Sequence, residues 1–256
     1  MYHAKDEWLP GYNKVKGIMS FYLANNIRAT LRECSVPSIV STMFYLGFQN
    51  TFLRDVKCIS GKDKMMVGPA FTVRTIPIRE DNRAAMLNKS MKNLQAEAFN
   101  ETEAGQVLVC EASGVIETAF LGDMVATAFK KRGVEGIVID GSVNDRVAIN
   151  AIDFPVFAMG DASLPFSSHR HIIALNEPIG CSGVGIFPGD IMVGDGNGVV
   201  AIPSRMVGEV AEKAAERESL EAFCGERLNE GYSLSSTYPP DEKTMAAYEK
   251  QKIQKN

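Results

Sequence analysis

Long apolar runs and paired cysteine motifs are both missing from this chain of 256 residues. No stretch approaches the roughly 20 consecutive apolar residues that a membrane-spanning helix requires, so we expect no membrane association. The five cysteines form no C-x-x-C pair, which argues against zinc and dithiol redox sites and predicts reduced thiols. Histidine is scarce, with three in all, and no G-x-S-x-G occurs, which argues against a serine hydrolase.

An excess of positive charge is also absent, because the net charge is -4 and the pI is about 5.5. This balance disfavours a general nucleic-acid-binding protein. The N-terminal residues lack the apolar core of a signal peptide, so we expect a cytoplasmic protein. An apolar content of 45% and a charged content of 23% are ordinary for a globular domain, and a chain this long can bury a large core.

The apolar spacing predicts one domain over residues 18–231, preceded by a polar arm at 1–17 and followed by a polar extension at 232–256. The extension, which contains prolines, is either flexible or a packing arm. From 106 to 158, strands alternate with helices, which is typical of a parallel βαβ core. Residues 179–203 predict short strands joined by glycine-rich turns. Other segments with helical spacing are 18–31, 38–48, 83–100 and 205–229.

The segment GDMVATAFKKRGVEGIVIDGSVND, from Gly122 to Asp145, contains the most chemically informative residues. Asp123 is the predicted N-cap of a helix that ends at Gly133. A short buried strand is then predicted to end near residue 141, with the next helix beginning near residues 142–145. Two carboxylates at the starts of helices, joined by one short αβ unit, predict an oxygen-ligand site for a hard divalent cation.

Each residue of this segment also has a structural interpretation. Asp123 and Asp145 can simply cap backbone amides at helix N-termini. The amides of Met124 and Val125, just after Gly122, would point outward at a helix start, where a carboxylate such as that of pyruvate can bind. The sequence alone leaves capping and ligand binding open.

The same segment resembles the family that holds the regulator of ribonuclease E activity and the 4-hydroxy-4-methyl-2-oxoglutarate/4-carboxy-4-hydroxy-2-oxoadipate aldolases. The family pattern is Gly-Asp, a helix, Asp-Gly and then Arg-Asp, with twenty residues between the first Asp and the Arg. That spacing fits Asp123 and position 144, but position 144 is Asn. The likeness covers roughly residues 20–230 and implies a three-layer α/β/β fold that resembles a swivelling phosphohistidine domain. It also runs through residues 68–73, 105–109, 154–157, 186–195 and 198–203.

The resemblance implies roles for several residues. Asp145 would ligate magnesium or manganese, and Asp123 would lie in the outer coordination sphere. Glu221, or Glu218 on the same helix face, would reach the metal's outer sphere from a neighbouring subunit, which implies a homotrimer or a hexamer of trimers. Gly122, Met124, Val125 and residue 144 would contact the substrate. For the glutamates, a solvated helix face is the structural alternative.

Asn144 is the main departure from the family pattern. The family Arg is thought to hold a substrate oxygen and to stabilise enolate charge, whereas Asn supplies an amide without charge. Arg146 is two residues away and could take this catalytic role beside Asp123 and Asn144. Arg170, in the His-Arg-His stretch at 169–171, is another candidate, although that stretch otherwise predicts a solvated loop.

Two classes of function follow from the resemblance. The first is a divalent-metal-dependent lyase that cleaves 4-hydroxy-2-oxo dicarboxylates to pyruvate, decarboxylates oxaloacetate, or does both. The second is a catalytically impaired regulator that binds a protein partner, which the loss of the Arg at Asn144 favours. A third interpretation keeps the metal and changes the substrate to a less anionic 2-oxo acid. Binding of a divalent metal would distinguish an enzyme from a pure binding protein.

Overall fold

A computed structural model describes residues 23–88, 90 and 92–255 of the chain. The predicted arm at 1–17 and the start of the first predicted helix lie outside these residues. The described helices are α1 (Asn25–Arg32), α2 (Val36–Tyr45), α3 (Glu80–Leu87), α4 (Leu94–Glu101), α5 (Asp123–Arg132), α6 (Arg146–Ile152), α7 (Val207–Asn229), α8 (Leu234–Thr237) and α9 (Glu242–Lys255). Within the described part of the chain, no helix is long and apolar enough to cross a membrane.

Strands alternate with these helices through the middle of the chain. They are β1 (Lys57–Ser60), β2 (Met66–Pro77), β3 (Val107–Cys110), β4 (Thr118–Ala119), β5 (Gly136–Val143), β6 (Val156–Asp161), β7 (Leu164–Pro165), β8 (Arg170–Leu175), β9 (Ile179–Cys181), β10 (Val184–Ile186), β11 (Ile191–Asp195) and β12 (Gly198–Ile202). The chain is therefore mixed α/β, as the alternation of sequence patterns predicts.

One sheet carries most of the strands, in the order β1-β6-β5-β3-β2-β11-β12. Its centre is parallel: β6, β5, β3 and β2 pair in the same direction, as the βαβ pattern predicts. The long strand β2 connects two regions, because its first half pairs with β11 and its second half with β3 and β8. The short strand β4 lies beside the end of β5 and places the start of α5 there.

Side-chain alternation in the parallel strands separates two cores. In β3, Leu108 faces a cluster with helices α4, α5 and α6, whereas Val107 and Val109 face β9 to β12. A helix layer thus packs on a strand layer, and that layer packs on further strands, which confirms the α/β/β arrangement. The helices α1, α2 and α7 cover the outer face of β11 and β12 and form a third core.

Two sequence predictions about element boundaries need correction, and a third is confirmed. Residues 83–100 form two helices, α3 and α4, because the Asn93 side chain accepts a hydrogen bond from the Ala96 amide and starts a new helix. Strand β5 continues to Val143, past the predicted end near residue 141, because the backbone of β4 and β6 pairs with those residues. The segment from Gly194 to Gly198 is a hairpin turn, as predicted.

The C-terminal extension is a packing arm rather than a loose tail. Helix α9 lies against α7, where Tyr248 is buried with its ring 5.6 Å from that of Phe223. Lys252 Nζ forms an ion pair with Glu216 Oε1 at 3.1 Å. The extension therefore adds apolar contact to the outer face of α7.

Candidate active site at the starts of helices α5 and α6

The candidate site lies at the carboxyl end of β5, where two helices begin side by side. The amide of Phe120 donates to the carbonyl of Ser142 at 3.0 Å, and the amide of Asn144 donates to the carbonyl of Leu121 at 3.0 Å. These two bonds hold the chain before α5 against the chain before α6. The αβ unit therefore brings both predicted carboxylate positions to one edge of the sheet.

Gly122 shows how closely the two loops approach. A Cβ atom on residue 122 would stand 2.5 Å from Asp145 Oδ2 and closer still to Asn144 Oδ1. Both side-chain oxygens therefore lie close together in the space above the Gly122 Cα. Only glycine allows this close approach.

Asp145 adopts a conformation that is uncommon for a residue with a side chain. It is the N-cap of α6 with φ 51° and ψ 36°, in the left-handed region, and its carboxylate makes no capping hydrogen bond. Such a conformation costs on the order of 1 kcal/mol or more and is often retained at functional sites. The capping interpretation of Asp145 is thus wrong, and the exposed carboxylate remains available to a ligand.

Asn144 places a polar atom in the interior without a hydrogen-bond partner. Among the described residues, no donor serves its buried Oδ1 atom. An unpaired buried acceptor costs about 1–3 kcal/mol. This atom is the second oxygen that faces the space above Gly122.

The first turn of α5 presents backbone donors beside these oxygens. Gly122, not Asp123, is the N-cap, and the amide of Ala126 makes the first intrahelical bond, to the Gly122 carbonyl. The amides of Asp123, Met124 and Val125 precede that bond and so have no acceptor within the helix. They lie at the helix start for which the sequence predicts anion binding, and the half-buried Asp123 side chain is in the same turn.

The two arginines predicted as substitutes for the missing cation have other partners. Arg146 pairs with Asp161 at 3.0 Å, and both side chains are more than half exposed. Arg170 is buried and donates to Thr75 Oγ1 at 2.9 Å and to Ser113 Oγ at 2.8 Å. The prediction of a solvated loop at Arg170 is wrong, because this stretch enters β8, which pairs with β2.

Glu218 and Glu221 both face α2, as their spacing on one helix face predicts. Glu218 accepts from the Ser35 amide at 2.7 Å at the start of α2, so a purely solvated role does not describe it. Glu221 pairs with Arg217 at 2.9 Å and accepts from Ser38 Oγ at 3.5 Å. Donation of Glu221 to the site of a neighbouring subunit stays a prediction.

Large apolar side chains surround the site and remain exposed. Met124 in α5 and Val147 in α6 lie at the two helix starts. Leu164 lies in β7, and Ile116 precedes β4, which pairs with β7. Their exposed fractions range from 50% for Ile116 to 88% for Val147. Exposed apolar side chains concentrated in one region are typical of an interaction surface.

The oxygens above Gly122 suit a small hard cation. Within the described part of the chain, no group of three or more His, Cys, Asp or Glu side chains is arranged to hold a metal. Magnesium needs fewer, because it is commonly bound through one or two carboxylates and keeps several waters. One carboxylate and one unpaired carboxamide oxygen, directed at the same space, fit that requirement.

Asp140 is a structurally important residue that the sequence analysis missed. Its buried carboxylate accepts from the amides of Ala112, of Ser113 at 3.2 Å and of Ser182 at 3.0 Å, so it joins the loop after β3 to the β9–β10 hairpin. Burial raises the pKa of Asp140 to about 6 despite these donors. Asp190 is similar, because burial raises its pKa to about 6 while the amides of Phe187 and Ser204 donate to it.

These two aspartates predict a stability that falls with pH. Because the pKa of each carboxyl is higher in the folded state, its bound proton stabilises the fold. This stabilisation is complete below about pH 4 and is lost as the pH rises through 6. The rise in pKa of each carboxyl corresponds to roughly 3 kcal/mol of stability at most. Urea unfolding at pH 5 and pH 7 should show this decrease in the wild type and a smaller one in Asp140→Asn with Asp190→Asn. An equal decrease in the double variant would contradict the assignment.

The family model and the named relatives found by comparison with known proteins point to the same family. The model of the RraA-like family, described as Aldolase/RraA, matches residues 36–201. A protein of Halalkalibacterium halodurans, provisionally named 4-hydroxy-4-methyl-2-oxoglutarate aldolase, is 34% identical over 164 residues, which cover 64% of this chain and 71% of the relative. An uncharacterised protein of Methanocaldococcus jannaschii is 34% identical over 185 residues, which cover 71% of this chain and 82% of the relative.

Solved structures share the fold. An uncharacterised protein of Pseudomonas syringae superposes with a TM-score of 0.74 at 23% identity and covers 88% of this chain and 98% of its own. A Streptomyces coelicolor protein, described as an unusual member of the RNase ES inhibitor RraA family, superposes with a TM-score of 0.68 at 27% identity. It covers 78% of this chain and 96% of its own.

Proposed function

Because this chain belongs to the RraA-like Aldolase/RraA family, we propose that it is a divalent-metal-dependent carbon–carbon lyase acting on 2-oxo acids. The observation that carries the proposal is the exposed carboxylate of Asp145, which makes no capping hydrogen bond and lies against Gly122 at the start of α5, where the first amides have no acceptor within the helix. Oxygen ligands next to backbone donors can bind a cation and a carboxylate together.

Each group has a chemical task in this proposal. Asp145 would hold magnesium or manganese, which when bound acts as a Lewis acid on the oxygens of a 2-oxo acid. The amides of Met124 and Val125 would bind and orient the substrate carboxylate at the start of α5. Asp123, in the same turn, would hold a water or transfer a proton to the carbon left by bond cleavage.

The substrate class follows from the chemistry that the site can stabilise. Retro-aldol cleavage of a 4-hydroxy-2-oxo dicarboxylate and decarboxylation of oxaloacetate both leave a pyruvate enolate, so both need negative charge stabilised on the keto oxygen. Asn144 brings no positive charge, and Arg146 is paired with Asp161. A less anionic 2-oxo acid would therefore suit this site better than it suits an Arg-containing family member.

Pyruvate release provides the test of the proposal. With Mn²⁺ or Mg²⁺ and either oxaloacetate or a 4-hydroxy-2-oxo dicarboxylate, a coupled lactate dehydrogenase assay should detect pyruvate above the metal-only rate. Chelation should stop the release, and added Mn²⁺ should restore it. Turnover that resists complete chelation, or none on any 2-oxo acid tried, would contradict a metal-dependent lyase.

The second candidate function is a protein-binding regulator with impaired catalysis. The observation that favours it is Asn144 at the position of the family Arg, together with the likeness to the Streptomyces coelicolor structure. In this case the chain would inhibit a purified RNase E-type nuclease equally well with and without chelator. Inhibition that is absent at micromolar concentrations would leave the lyase as the better proposal.

We further propose a homotrimer, or a hexamer of trimers, as the working form. The exposed apolar rim around the site supports it, because a neighbouring copy that covers Val147 and Leu164 would remove apolar surface from water. Light scattering coupled to size exclusion should give three or six times the mass of one chain. Val147→Glu with Leu164→Glu should shift the protein toward monomer, whereas Ile253→Glu, a change of another exposed apolar residue, on α9, should not. A wild-type monomer would contradict this assembly.

A further inference from the structure

We infer that Asn144, through its carboxamide oxygen, is a direct ligand of the divalent cation that Asp145 holds. This inference rests on the proposed function for the presence of the cation. It goes further because it gives a positive role to the residue at which this chain departs from the family pattern. Asn144 would be a ligand of the metal rather than a weakened substitute for a cationic clamp.

The unpaired acceptor is the first argument. Asn144 Oδ1 is buried and has no donor among the described residues. Folding leaves few such atoms unpaired, because each loses its hydrogen bonds to water without replacement. A buried unpaired oxygen in a candidate cation site is explained if a cation is its partner.

The direction of the two side chains is the second argument. Asn144 Oδ1 and Asp145 Oδ2 approach the same point above Gly122, where a Cβ would collide with both. Two acceptors this close to one position repel each other unless a positive charge or a donor lies between them. A cation between them converts this repulsion into attraction and neutralises the carboxylate.

The backbone keeps both oxygens in place. The Asn144 amide is fixed to the Leu121 carbonyl at 3.0 Å, and the Asp145 carbonyl accepts from Ile149 at 2.9 Å in the first turn of α6. Asp145 therefore holds its left-handed conformation with the preceding amide and its own carbonyl both anchored. Carboxamide oxygens of Asn side chains are ordinary ligands of hard divalent cations.

The same geometry allows one competing arrangement, in which the Asn144 amide group is rotated by half a turn. Its NH₂ group would then donate to Asp145 and orient that carboxylate without touching the metal. Leucine removes both the oxygen and the donor. Aspartate keeps the oxygen, adds a charge and removes the donor. The two substitutions together therefore separate the two arrangements.

The experiment measures Mn²⁺ affinity with the full chain, by the loss of the free-ion signal in electron paramagnetic resonance and by calorimetry. Asn144→Leu should weaken binding about tenfold, which corresponds to about 1.4 kcal/mol. Asn144→Asp should bind at least as tightly as the wild type, because it retains an oxygen and adds negative charge. Asp145→Asn should weaken binding far more than Asn144→Leu.

A measurement without metal completes the test. In chelated protein, Asn144→Leu should keep or raise the Tm, because it removes an unpaired buried acceptor, and Mn²⁺ should raise the Tm less than in the wild type. Unchanged Mn²⁺ affinity in Asn144→Leu would overturn the inference and leave the proposed function standing. Equal weakening in Asn144→Asp and Asn144→Leu would overturn it in favour of the donor arrangement. A wild type that binds no Mn²⁺ would overturn the proposed function together with the inference.

Discussion

Replacing Gly122 with alanine should strongly weaken divalent-metal binding while leaving the fold intact. The new Cβ would stand 2.5 Å from Asp145 Oδ2 and closer to Asn144 Oδ1, so both oxygens must move. Displacements of about 1 Å at a working site commonly cost on the order of a hundredfold. We therefore expect Mn²⁺ affinity to fall by about that factor, with a parallel loss of metal-dependent pyruvate release.

The control for this change is Gly225→Ala, in the long helix α7. A Cβ at Gly225 meets nothing within 4 Å, and alanine is the better helix former by about 1 kcal/mol. Gly225→Ala should keep wild-type Mn²⁺ affinity and show an equal or higher Tm. Gly122→Ala should stay folded by circular dichroism, because the atoms it displaces are side-chain ends. Wild-type metal affinity in Gly122→Ala would show that the cation binds elsewhere.

Replacing Asp145 with asparagine should have the second large effect. Asparagine tolerates the left-handed conformation at φ 51° and keeps the size of the side chain, so the change removes mainly the negative charge. Loss of the one carboxylate above Gly122 should lower Mn²⁺ affinity by roughly a hundredfold and abolish metal-dependent turnover at micromolar metal. Calorimetry and the coupled pyruvate assay measure the two effects.

Helix α6 supplies a matched control at its other end. Asp153 is its C-cap with φ 53°, also left-handed and exposed, and it pairs with Lys64 at 2.7 Å on the surface. Asp153→Asn therefore makes the same chemical change in the same backbone conformation, where the exposed ion pair is screened by solvent and contributes little to stability. It should leave metal binding and turnover unchanged. Similar losses in both variants would point to a shared structural effect rather than to a metal ligand at Asp145.

The elements nearest the site were well predicted because their signals are local. The helix from Asp123 ends at Gly133, which has φ 83°, as a glycine after a cationic last turn predicts. The alternation of strand and helix from 106 to 158 gave the parallel core, because buried strands and amphipathic helices each show their own periodicity. Helix α2 and helix α7 were placed within a few residues for the same reason.

The missed features depend on partners that are distant in the chain. The sequence predicts a polar loop at Arg170 and His171, but the pairing of β8 with β2 buries both residues. Their partners in β2 lie about 95 residues earlier in the chain. Asp140 accepts from Ser182, a residue 42 positions away, and no local pattern signals that contact. The register between strands that are distant in the chain is set by the packing of the whole core, so local periodicity does not predict it.

The sequence by itself determined the class of fold, the order of its elements and the two carboxylates at helix starts, because turn residues and apolar spacing act over a few residues. Tertiary structure alone decided that Asn144 Oδ1 and Asp145 Oδ2 meet above Gly122 and that Arg146 pairs with Asp161. It also decided that Gly122, rather than Asp123, caps α5. The physical reason is that the direction of a side chain depends on backbone angles and on the packing of β4 against β5, both of which are fixed only when the sheet has formed.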